Sequence, residues 1–67
     1  MKGWESIFST SMPAEAELIR LILIDNGIDA VVMNNQDSSY ISIGEANVYV
    51  KRDDIIRAKR IIESTQQ

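Results

Sequence analysis

The residues of this chain that could do chemistry lie in three stretches. Asp53 and Asp54 are adjacent carboxylates, the type that acid–base work needs. Arg57 and Arg60 stand three apart, so on a helix they share a face and could hold an anion. The run NNQDSSY, Asn34 to Tyr40, offers Asn35, Asp37, Ser38, Ser39 and Tyr40. Those side chains supply acceptors, donors and one flat apolar ring for a small polar ligand or a peptide. Each stretch also has a plainer account. Acids at a helix start cap it, cations suit the C-terminal half of a helix, and Asn, Asp and Ser are what turns prefer, because they bond their own backbone.

What is missing excludes more. There is no cysteine and no histidine. That removes Ser/His triads, cysteine nucleophiles and the commonest metal ligands, and with them a structural zinc site or a disulfide. Gly3, Gly27 and Gly44 are too far apart for a phosphate-cradling loop. Glu15 and Glu17, two apart on a helix, face different ways. The expectation is a chain that is not an enzyme and carries no cofactor and no metal.

The 67 residues make a single domain, 1–67. A chain this short buries roughly 60% of its unfolded surface. Lacking staples, it must rely on good packing or on association. No apolar targeting segment follows Met1-Lys2. The run LIRLILI, Leu18 to Ile24, is far shorter than the ~20 residues that span a bilayer. The expected location is the cytoplasm, with no membrane partner. Net charge is −3, which argues against a dedicated nucleic-acid binder. The charge is uneven: residues 1–50 hold seven acids and two bases, while residues 51–67 hold five bases and three acids.

The elements that position these residues follow from pattern. WESIFST (Trp4–Thr10) alternates like a strand, although adjacent Ile7 and Phe8 would send one of the two away from the core. Pro13 opens a helix, with Ser11 or Met12 as its cap, and the helix runs to Asn26. Gly27 then supplies a left-handed stop, over which Ile28 can fold back on Leu23. IDAVVMN (Ile28–Asn34) is β-branched and strand-like. In ANVYV, Ala46, Val48 and Val50 share one face. Gly44-Glu45 fits a two-residue hairpin, which would make a short extra strand of Tyr40–Ile43. That strand competes with Ala30–Asn34 for one edge of Ala46–Val50. Asp53 or Asp54 caps a second helix to about Thr65, with Ile55, Ala58, Ile61 and Ile62 as its stripe. The sum is an α+β two-layer sandwich, strand–helix–strand–strand–helix, with both helices on one face of an antiparallel sheet.

The first helix is too apolar for that plan. At about 100° per residue, Ala16, Ile19, Ile22 and Leu23 make the stripe that covers a sheet. Leu18, Leu21 and Ile24 then fall on the flank and the far side, where a surface helix should be polar. These three, with Trp4 on the first strand, are the candidate interface. The partner expected is a second copy, giving a homo-oligomer or dimer, or else another protein. The alternative function is a small-molecule or anion sensor using the 34–40 loop or Arg57 and Arg60.

The segments IFST-x-x-PAEAELIRLIL, NGIDAVVMN and ANVYVKRDDIIRAKRII resemble one bacterial domain family of unknown function, described as "putative prokaryotic signal transducing protein". The resemblance implies the ferredoxin-like arrangement of the P-II signalling proteins, with the strand at Val48–Lys51 between Trp4–Thr10 and Ala30–Asn34. Only Ser64–Gln67 follow the second helix, so the usual last strand is expected to be missing. The first strand would then be an open edge, a template for pairing. The glycine- and lysine-rich nucleotide loop of P-II proteins has no counterpart, and no nucleotide-binding residue is implied.

Overall fold

Ala46, Val48 and Val50 lose all contact with solvent, while Asn47 and Tyr49 between them stay half-buried. That alternation places their strand at the centre of the molecule. The computed structural model of the chain describes residues 2–35 and 45–65. Its strands are β1 (Trp4–Thr10), β2 (Ala30–Asn35) and β3 (Glu45–Lys51); its helices are α1 (Pro13–Asp25) and α2 (Ile55–Thr65). The sheet order is β1-β3-β2, and β3 is antiparallel to both neighbours. This is the expected α+β arrangement, a ferredoxin-like order with three described strands.

Both helices pack on the Ala46–Val48–Val50 face. Ala16, Ile19 and Leu23 of α1 and Ala58 and Ile62 of α2 join Ile28, Ala30 and the β3 residues in one buried cluster. Leu23, Ile28, Val48 and Val50 are the largest side chains wholly removed from water. Each such burial is worth about 1.5–3 kcal/mol.

The end of α1 is set by backbone geometry. Asn26 is the capping residue, and Gly27 follows at φ 82°, in the left-handed region. The Gly27 N–H donates to the Ile24 carbonyl at 3.0 Å, and the Ile28 N–H reaches back to Leu23 at 2.9 Å. These are the two bonds of a Schellman stop, and the buried pair Ile28 and Leu23 completes it. At its start, Met12 occupies the cap without a side-chain bond. Thr10 substitutes for one. Its hydroxyl accepts from the Met12 N–H at 3.1 Å and donates to the Glu15 carboxylate at 2.5 Å.

Three sequence expectations are corrected. Ile7 and Phe8 both pack on the core. The strand register shifts between Ser6 and Phe8, so Ile7 is an extra residue in β1, and a bulge turns adjacent side chains to one side. The second helix is not capped by Asp53 or Asp54. A 3-10 turn, Arg52–Asp54, precedes it, its cap is Lys51, and both acids lie within the first turn. There they still favour the helix dipole. The two-residue hairpin at Gly44-Glu45 is corrected at Glu45, which pairs with Asn35 as the first residue of β3, while Gly44 lies outside the described residues. Both edges of β3 are taken, by β1 from Thr10↔Ala46 to Trp4↔Lys51 and by β2 from Asn35↔Glu45 to Ala30↔Val50. Tyr40–Ile43, the proposed extra strand, lies outside the described residues.

Candidate functional site

The outer side of α1 follows from which residues its inner side had to supply. Ala16, Ile19 and Leu23 face the sheet and are buried. Leu21 projects opposite them, with Leu18 and Ile24 to either side, and the three are 56%, 53% and 44% exposed in the order Leu18, Leu21, Ile24. Leu21, Ile22, Ile24 and Asp25 line a shallow open depression there. Glu17 and Arg20 pair at 2.8 Å beside the ridge. An exposed pair of this kind contributes little to stability.

One residue of this surface escaped the sequence reading. Ile56, in the first turn of α2, is 73% exposed, more than any other large apolar side chain among the described residues. Its signal was available: it falls outside the Ile55, Ala58, Ile62 stripe, where an aliphatic has no core to enter. Met12, just before α1, is exposed as well.

Trp4 belongs elsewhere. It pairs with Lys51 across β1 and β3, on the sheet face turned away from the helices. The Lys51 Nζ lies 5.9 Å from the centre of its ring and 3.3 Å from an Asp29 carboxylate oxygen. The sheet therefore separates Trp4 from Leu18, Leu21 and Ile24, and they do not form one surface. Beside Trp4 on that open face, the Asn47 side-chain oxygen accepts from the Ser9 hydroxyl and, at 3.5 Å, from the Ser6 hydroxyl. No base adjoins these serines to make either a nucleophile.

Arg57 and Arg60 are both exposed and have different surroundings. The Arg57 guanidinium donates to the Asn26 carbonyl at 3.2 Å and lies 4.0 Å from Asp54. It is engaged in holding the start of α2 against the C-terminal end of α1, where a cation also suits the dipole. Arg60 is exposed on the outer side of α2. Asp37, Ser38, Ser39 and Tyr40 lie outside the described residues, and of Asn35 the structure describes the backbone, which closes β2 opposite Glu45. Among the described residues no three acids gather where a metal ion could sit. No described helix is long and apolar enough to cross a membrane.

What the structure brings together among the described residues is exposed aliphatics on α1 and charged side chains on the outer sides of both helices. The features that hold them in place, the proline start, the Gly27 stop and the Val48–Val50 strand, run almost the length of the chain. A family model described as "Putative prokaryotic signal transducing protein" matches residues 4–66. The chain belongs to that family. Comparison with curated proteins and with solved structures finds no match. The family description names a cellular role, signal transduction, and leaves the chemistry open.

Proposed function

We propose that this member of the signal transducing family is a non-catalytic regulatory module of the cytoplasm that self-associates through the outer side of its helix layer. The observation that carries the reading is the ridge Leu18, Leu21 and Ile24, each about half exposed on a helix whose opposite side already fills the core. Apolar side chains three apart on one helix are a stripe, and a stripe left in water marks an interaction site. Covering the three would return a few kcal/mol per copy, enough to matter to a protein this small after association costs are met. The ferredoxin-like layout, which the family resemblance links to P-II signalling proteins, supports a regulatory role. The absence of histidine and cysteine supports a non-catalytic one.

The bulge in β1 bears on where the contact forms. An edge strand with an extra residue is a poor template for strand pairing, so the helix layer is favoured over the sheet edge. Light scattering tests the reading. The wild-type chain should show a mass above that of one copy at high micromolar concentration. Leu21→Glu should return it to a single copy with its circular dichroism unchanged. A wild-type chain that stays a single copy throughout removes the proposal.

A further inference from the structure

Resting on that reading, we infer that the second copy docks with its helix layer face to face on the first, so that α1 of each copy lies over α2 of the other. The exposed apolar side chains choose the face. Among the described residues Leu18, Leu21, Ile24 and Ile56 all project from the outer side of the two helices, with Met12 at the start of α1, whereas on the opposite sheet face Met33 is exposed and Trp4, Val31 and Tyr49 are half-buried. The chain is a slab of about 35 × 30 × 15 Å. Its broad face is large enough for the roughly 800 Å² per partner that a stable interface needs.

Charge chooses the orientation. Helix α1 carries Glu15, Glu17 and Asp25 against Arg20, and α2 carries Arg57, Lys59 and Arg60 against Glu63, so the helices hold −2 and +2. Chain direction makes them antiparallel neighbours, since β1 and β2 run one way and β3 the other. A two-fold axis across the helices would lay α1 on α1 and α2 on α2, each meeting its own sign. A two-fold axis along the helices lays α1 on α2 twice, each time with opposite signs. Apolar burial serves both arrangements, and like charges brought face to face are what rejects one of them.

The vertical register follows from one hydrogen bond. Arg57 donates to the Asn26 carbonyl, which sets the first turn of α2 level with the last turn of α1. An axis along the helices preserves that level. Lys59 and Arg60 of one copy then come over Ile24 and Asp25 of the other. Further along, Glu63 comes over Arg20, and Ile56 meets the Ile24 end of the ridge. The contact closes on itself, so it yields a dimer and not a filament. Four helices lie between two sheets, and the Trp4 face of each sheet stays outside.

Sedimentation equilibrium on the wild-type chain, Asp25→Arg, Arg60→Glu and the double variant tests the docking. Asp25 and Arg60 are both exposed, so each variant keeps its fold, as a thermal melt will verify. Each single reversal should weaken the dimer about tenfold, and the double should recover most of that loss. Rising salt should weaken the wild-type dimer as well. A wild-type chain that remains monomeric overturns self-association itself, and this docking with it. A stable dimer that neither single reversal weakens, or that the double fails to restore, overturns the docking alone and leaves self-association standing.

Discussion

Leu21 and Leu23 sit two residues apart on the same helix and have opposite fates. Leu23 is wholly buried against Val48 and its neighbours, and Leu21 is 53% exposed. The same contrast holds between whole helices. Helix α2 has a clean division: Ala58 and Ile62 inside, Lys59, Arg60 and Glu63 outside, with Ile56 its one exception. Helix α1 buries an equivalent stripe and then repeats aliphatics on its other side. The inner side of each is dictated by the sheet, which accepts only apolar side chains of the right volume. The outer side is under no such demand. On the self-association proposed above, its composition answers to a second copy.

The contrast can be broken most forcefully at its buried end. Leu23→Ala should cost about 2–5 kcal/mol of unfolding free energy, read by urea denaturation. A loss near zero would mean that α1 does not face the sheet as described. Next in size is the stop that holds the helix in register. Gly27→Ala meets no neighbouring atom within 4 Å, so its cost is the left-handed backbone alone, about 1–2 kcal/mol. At the other end, Thr10→Val removes both the acceptor for Met12 and the donor to Glu15. About 1 kcal/mol should go with it. Smallest of all, Leu21→Ala should change the stability of the dissociated protomer by no more than about 0.5 kcal/mol. Any larger effect seen at high concentration but absent on dilution would belong to the interface, which sharpens the division between Leu21 and Leu23.

Much of this was legible from residue order. Gly27 between Asn26 and Ile28 announces the helix stop, because only a left-handed residue lets Ile28 return to Leu23. The alternation of Ala46, Val48 and Val50 announces a strand with one buried face. Pro13 marks the first turn, and the excess of aliphatics from Leu18 to Ile24 marks the exposed ridge. The failures share a cause: each depended on how one strand meets another. The bulge at Ile7 is a mismatch of spacing between β1 and β3, invisible when β1 is read alone. Placing Trp4 with the helix ridge failed for the same reason, since the face of β1 is decided by its partner Lys51 on β3. Glu45 matched a local turn preference, and the long-range pairing of β2 with β3 made it a strand residue.

The central claim is that the outer side of the helix layer is the surface by which this protein meets its partner. Methyl resonances followed through a dilution series test it at the residues concerned. The methyls of Leu18, Leu21, Ile24 and Ile56 should shift with concentration, while those of Val31 and Met33 on the opposite sheet face stay still. Shifts confined to Val31 and Met33, or none anywhere up to the solubility limit, would contradict the account.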